Sequence, residues 1–269
     1  MIQEDFKRRV IGQDHIFDSI CKYIKIGEAG LSPENEPKGA FMFLGPTGTG
    51  KTETAKVMSD LLHIPLIRFD MSEYSVPERW LNDFSVKLEG KRKGVILLDE
   101  IEKGAKEIMD YFLQILSEAR ITVNRQEIDV SEFYIVMTSN IGSKDLIGEN
   151  FRTAQYIVEL RAKGYFRPEF IGRFHRGTIL CFKPFDYETI KRVAKLKIEQ
   201  HIEFLQRKGY SLRFSDAVVS QMAMYSILDR ELGARPIVQA IQEVFPLALL
   251  DSGKTTGCID IKDGKVAVI

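Results

Sequence analysis

Five short apolar runs constrain this chain most: residues 40–44, 66–70, 95–99, 134–138 and 178–182. Each is rich in Val, Ile, Leu and Phe and nearly continuous in apolarity. Strands have this texture when a parallel sheet is covered on both faces, because neither side of the strand meets water. Helical patterns lie between the runs, for example over residues 52–62 and 106–116. Strand and helix in alternation predict an α/β fold, a three-layer domain around a parallel sheet. After Pro184 the texture changes. Ile190, Val193, Ala194, Ile198, Ile202 and Leu205 stand at helical spacing over residues 186–208, with Gly209 placed to end the helix. A second helix fits residues 216–226, and a third starts near Ala234 with Pro236 in its first turn. Short strands are expected at residues 258–262 and 265–269, joined by the hairpin-type turn Asp263-Gly264. The expected organisation is a large domain, residues 1–184, and a small, mainly helical lid domain, residues 185–269.

The first run leads directly into Gly45-Pro46-Thr47-Gly48-Thr49-Gly50-Lys51-Thr52, and a helical pattern follows. Strand, glycine-rich loop, Lys-Thr and helix in this order form a P-loop. Its glycines let backbone N–H groups turn inward around phosphate oxygens, where a Cβ would obstruct. The helix directs its positive end at the same anion. Lys51 is placed to pair with the β- and γ-phosphates of ATP, and the Thr52 hydroxyl to bind Mg²⁺. The third run ends in Asp99-Glu100. On a parallel sheet the C-terminal ends of strands face the ligand crevice. Asp99 is therefore expected to hold Mg²⁺ through its hydration shell, and Glu100 to polarise the attacking water. The plainer reading of the two acids, a strand end capping the next helix, loses weight after a P-loop.

Together with other segments these motifs resemble an AAA+ ATPase. The matching stretches are Arg9-Val10-Ile11-Gly12-Gln13-Asp14, the P-loop, Phe69-Asp70-Met71-Ser72-Glu73-Tyr74, Leu98-Asp99-Glu100-Ile101-Glu102-Lys103, Leu113-Gln114-Ile115-Leu116, Thr138-Ser139-Asn140-Ile141-Gly142, Arg167-Pro168-Glu169-Phe170 and Gly233-Ala234-Arg235-Pro236. More narrowly, they resemble the second ATPase module of the Clp disaggregase and unfoldase chaperones, in the same order and over nearly the whole chain. The resemblance implies that Val10 and Ile11 pack on adenine. It implies that Asn140 is the sensor-1 residue, that Arg173 is the arginine finger reaching a neighbouring subunit, and that Arg235 is the sensor-2 residue of the lid. It also implies a homo-oligomer, expected to be a hexameric ring, and a protein substrate or partner. Asn140, Arg173 and Arg235 also have ordinary readings: a turn-forming asparagine and two solvated arginines.

The sequence departs from that family in three places. Between Tyr74 and Val95 the segment is short and carries no aromatic flanked by glycine, where threading relatives have a Gly-Tyr-Val-Gly pore loop. Its aromatics, Trp80 and Phe84, are four apart, which favours packing on one helix face over gripping a substrate. Lys91-Arg92-Lys93 reads as a solvated run. After Arg173, Phe174-His175-Arg176-Gly177 replaces the usual acidic pair. Little sequence precedes Val10, where relatives carry further domains; Ile147-Gly148, followed by Glu149, is a poor match to a hydrophobic protease-docking tripeptide.

Charge and composition narrow the partners. Lys plus Arg equals Asp plus Glu, 38 each, so nothing in the net charge favours nucleic acid or an acidic membrane. No apolar run approaches the roughly 18 residues of a membrane span. Cys21, Cys181 and Cys258 are few and scattered, and His15, His63, His175 and His201 lack metal-ligand spacing. A cytoplasmic protein is expected. Two functions compete: an ATP-hydrolysing remodeller of a protein partner or assembly, and a nucleotide-dependent switch or scaffold that does not thread polypeptide. A DNA-directed AAA+ protein finds no support in the charge balance.

Overall fold

The structure, a computed structural model, describes residues 2–146, 155, 158–159, 162, 164–175, 177–227 and 232–269. Residues 147–149, read above as a non-matching docking tripeptide, lie outside this set, as does Arg176. The chain divides into two compact units, Met1–Pro46 with Gly50–Lys183, and Thr47–Thr49 with Pro184–Ile269.

The first unit is built on a five-stranded parallel sheet. Its strands are β1 (Gly39–Leu44), β2 (Leu66–Asp70), β3 (Gly94–Asp99), β6 (Phe133–Ser139) and β7 (Ile179–Cys181), in the order β2-β3-β6-β1-β7. All four pairings are parallel. Successive side chains along a strand point to opposite faces, and here both faces are covered. Phe41, Phe43, Val95, Leu97, Tyr134 and Val136 pack with α1 (Ile2–Arg9), α2 (Asp14–Glu28) and α3 (Lys51–Leu62). Met42, Leu44, Ile96, Leu98, Ile135 and Met137 pack with α4 (Pro77–Leu88) and α5 (Ile108–Glu118). These are the three layers expected, and the apolar runs are continuous because both layers of helices press on them.

Helix α4 occupies the shortened segment after Tyr74. Trp80 and Phe84 are fully buried in it, their rings 4.8 Å apart and packed against Phe69 and Phe112. Lys91, Arg92 and Lys93 are exposed. An antiparallel hairpin, β4 (Arg120–Val123) with β5 (Gln126–Asp129), was not expected from sequence. Its turn residues Asn124 and Arg125 both have positive φ, 51° and 66°. A two-residue turn of this kind normally advertises itself as Asn-Gly, and an arginine in the second place hides it.

The second unit packs the helices Tyr187–Gln206, Asp216–Ile227 and Arg235–Ser252 around one apolar core that includes Ile198, Met222, Ile241 and Phe245. The Asp186 carboxylate caps the first helix, accepting the Thr189 N–H at 2.8 Å. Hydrogen bonding from Thr189, its side chain first and its N–H second, holds the Asp186 carboxyl below its usual range. The expected hairpin is present as β9 (Thr256–Lys262) and β10 (Lys265–Val268), and β8 (Ser211–Phe214) adds a third strand, parallel to β9.

Candidate functional site

The motif residues of the first unit meet at the C-terminal edge of the parallel sheet. β1 ends at Leu44 and hands the chain to the loop; α3 begins at Lys51 with Gly50 as its N-cap, at φ 101°. Gly45 also has a positive φ, 137°, and a Cβ there would stand 2.7 Å from the Phe182 carbonyl. Only glycine fits that position. The N–H groups of the first turn of α3 have no acceptor within the helix, and with the helix dipole they favour an anion.

Lys51 is buried, and its Nζ donates to Gly45 O at 2.6 Å, Pro46 O at 2.7 Å and Asn140 Oδ1 at 2.9 Å. The ammonium therefore sits over the loop among oxygen acceptors. One turn into α3, the Thr52 hydroxyl donates to Asp99 Oδ1 at 2.9 Å.

Asp99 reaches this point because β3 runs beside β6 in a register that places Leu98 opposite Met137. The next residue of β6, Thr138, then stands beside Asp99. Its hydroxyl donates to Asp99 Oδ1 at 2.6 Å and accepts the Glu100 N–H at 2.9 Å. One buried hydroxyl thus fixes both acids. Glu100 itself has left-handed backbone angles, φ 59° and ψ 56°. Such a conformation costs a non-glycine residue free energy and occurs mostly where a site demands it. Glu100 Oε1 accepts from Asn140 Nδ2 at 3.0 Å, and Oε2 pairs with Lys103 Nζ at 2.5 Å. The hydrogen bond to Glu100 raises the Lys103 pKa. Asn140 is held in turn by its own N–H, donated to Glu102 Oε1 at 2.9 Å.

Lys51, Thr52, Asp99, Glu100 and Asn140 therefore form one hydrogen-bonded cluster. Val10 is buried, with its Cγ1 3.2 Å from where a Cβ on Gly50 would lie, and Ile11 is half-buried beside it in the chain. Their segment is anchored by Gln13, whose side-chain amide exchanges two 2.9 Å hydrogen bonds with the Lys183 backbone. His15, in the same segment, contacts the Cys181 carbonyl at 2.9 Å, and burial lowers its pKa. Cys181 is a structural thiol: desolvation by burial pushes it up to about 12.

Arg173 stands apart from this cluster. It is exposed and lines a cavity of about 160 Å³ together with Tyr23, Glu36 and His175. His175 stacks on Tyr23, ring centroids 5.5 Å apart, and pairs with Glu36 at 3.5 Å. Arg235 is exposed and opens the last helix of the second unit.

Sequence reasoning missed Arg68, Thr138, Glu102 and Lys103. Arg68 had a readable signal, a cation inside an apolar strand run. Thr138 had none, because its place depends on strand register.

A glycine-rich loop between β1 and α3, with paired acids at the end of β3, defines a P-loop nucleotide-binding domain. The sequence matches the AAA domain (Cdc48 subfamily) over residues 36–176, and the chain belongs to that family. Residues 185–249 match the C-terminal, D2-small domain of ClpB protein. Among curated relatives, the chaperone protein ClpB 2 of Nostoc sp. is 33% identical over 265 residues, covering 90% of this chain and 30% of that protein. The mitochondrial chaperone protein ClpB4 of Arabidopsis thaliana is 32% identical, covering 91% and 28%. The chain thus spans about a third of the length of the relatives it matches. Among solved structures, a closed-state reconstruction of Hsp104 with ATPγS and FITC casein superposes with a TM-score of 0.86 at 23% identity, over 100% of this chain and 51% of that one. This last likeness is one of fold. No helix among the described residues is long and apolar enough to cross a membrane.

Proposed function

We propose that this chain binds ATP with Mg²⁺, hydrolyses it, and uses the cycle to remodel a protein partner as part of a homo-oligomer, with the Clp chaperones as its functional relatives. The observation that carries the reading is the single cluster joining Lys51, Thr52, Asp99, Glu100 and Asn140 at the sheet edge. The resemblance of the chain to chaperones along its length supports the choice of a protein as partner.

The donor set fits the cofactor. A threonine hydroxyl and a carboxylate 2.9 Å apart are hard oxygen donors, and Mg²⁺ takes few protein ligands, keeping waters and phosphate oxygens for the rest. Thr52 and Asp99 would hold it, and its charge would stabilise the phosphoryl group in transfer. Lys51 neutralises phosphate charge from within the loop. Asn140 aligns Glu100 and the attacking water, and Glu100 polarises that water. Val10 and Ile11 offer an apolar surface to the adenine. Arg173 acts on the nucleotide of a neighbouring subunit and Arg235 reports nucleotide state to the small domain; these two roles rest on the family resemblance.

The test is Glu100→Gln. The variant keeps the shape of the side chain but removes its charge. It should bind ATP with near wild-type affinity and lose hydrolysis by at least about 10²-fold. Turnover at the wild-type rate would show that Glu100 is not the base.

A second reading, a nucleotide-driven switch or scaffold without threading, draws on the burial of Trp80 and Phe84, which leaves neither aromatic exposed to grip a chain. ATP-dependent unfolding of a tagged, folded reporter separates the two: the remodeller unfolds or dissociates it, and the switch does not.

A further inference from the structure

Arg68, the middle residue of β2, reaches Asp99 at the end of β3. Its Nη2 and Nε donate to Asp99 Oδ2 at 2.7 and 3.1 Å. The hydroxyls of Thr138 and Thr52 converge on the other oxygen, Oδ1, at 2.6 and 2.9 Å. The Asp99 side chain is 7% exposed, so its charge is poorly served by solvent and depends on these donors. Arg68 is 47% exposed and keeps one foot in water. A second carboxylate oxygen, Asp70 Oδ2, lies 3.7 Å from the same Nη2, because Asp70 stands opposite Asp99 in the β2–β3 register. Asp70 is itself fixed by the Ser72 hydroxyl and N–H, and its pKa is held low by them.

We propose that Arg68 is the counter-ion that tunes the Mg²⁺ affinity of this site, by competing with the cation for the Asp99 carboxylate. The inference rests on the reading of Thr52 and Asp99 as the Mg²⁺ seat. A fixed guanidinium and a divalent cation drawing on one carboxylate repel each other, and each weakens the hold of the other. The cost to Arg68 of yielding Asp99 Oδ2 is small, since it is half in solvent and has the Asp70 carboxylate within reach. The competition therefore sets how much Mg²⁺ is needed to saturate the site without making the site unable to take it. Arg68 touches Asp99 and acts through it, so it is a positioning and charge-setting residue.

The experiment is a titration of Mg²⁺ into the full chain with a fluorescent ADP, read as bound nucleotide, which needs no turnover. In wild type, bound nucleotide should rise with Mg²⁺; an Mg²⁺-independent signal would instead undo the seat reading on which this rests. Arg68→Gln should shift the half-saturating Mg²⁺ concentration down, by roughly three- to tenfold once solvent screening of a half-exposed charge is allowed for. Arg68→Lys keeps the charge without the fork and should stay within about twofold of wild type. If wild type responds to Mg²⁺ and Arg68→Gln leaves the midpoint unchanged or moves it up, the competition is refuted while the seat stands. Should Arg68→Gln not fold, Arg68→Lys and Arg68→Met titrated in parallel carry the same contrast: the charge-free variant must need less Mg²⁺ than the charged one.

Discussion

Glu100 shows how much the site asks of a single residue. Its left-handed backbone would be unstable in isolation, costing about 1–3 kcal/mol, and the Thr138 hydroxyl is what receives its N–H there. Thr138→Val keeps the shape but strands that N–H and removes a donor from Asp99. We expect a loss of about 1–3 kcal/mol in urea unfolding and a fall in ATP turnover of at least about tenfold, the equivalent of 1.4 kcal/mol in the barrier. Thr138→Ser restores the hydroxyl and should recover most of both. Equal losses for Val and Ser would mean that packing of the methyl group, and not the bridge, matters at this position. The residues legible in the sequence were those in a local pattern: the P-loop, Asp99, Glu100 and Asn140. Thr138 was invisible in it and Arg68 showed only as a cation inside an apolar run; both get their roles from a neighbouring strand. Which residue of β6 faces Asp99 depends on register, and register is set by packing far from the site.

At the scale of elements, the local periodicities were reliable where both the pattern and the ends were marked. The helix Tyr187–Gln206 has an apolar stripe and an aspartate cap, and it starts one residue from its expected place. Asp186→Ala should cost about 1 kcal/mol at pH 7, measured by chemical denaturation. The acid dependence has a definite sign. The Asp186 carboxyl is held low in the folded chain by Thr189, so the cap stabilises above the ordinary aspartate range and its contribution fades as pH falls through the lowered value. The gap between wild type and Asp186→Ala should therefore shrink between pH 5 and the acid limit. The β4–β5 hairpin escaped because its turn lacks glycine and its strands are four residues each, too short to show alternation. Helix α4 was foreshadowed only by the spacing of Trp80 and Phe84. Trp80 touches Phe69, Phe84, Tyr111 and Phe112. Trp80→Ala should destabilise the fold by about 3–5 kcal/mol through the cavity it leaves. A variant of wild-type stability that had lost remodelling activity would instead assign Trp80 to substrate contact.

At the scale of the molecule, the proposed role of Arg173 extends to a neighbouring subunit. Lys51, Thr52, Asp99, Glu100 and Asn140 are tied together by hydrogen bonds through Thr138, whereas Arg173, in the same unit, lies exposed beside Tyr23 and His175. An arginine that stabilises transition-state charge typically contributes ~10³–10⁵-fold, so the proposed role of Arg173 at a neighbouring subunit's nucleotide makes hydrolysis depend on assembly. Turnover per subunit should then rise with protein concentration as oligomers form. Arg173→Ala should abolish that rise while leaving ATP binding and the particle mass in the Glu100→Gln background intact. Arg173→Lys should restore little, because the planar fork and not the charge alone matches phosphate oxygens. Mixing supplies the decisive contrast. Arg173→Ala subunits keep Glu100, and Glu100→Gln subunits keep Arg173, so each variant alone is inactive and a mixture should regain turnover at the shared interfaces. Failure to complement, with mixed particles confirmed by mass, would place Arg173 outside the transferring site.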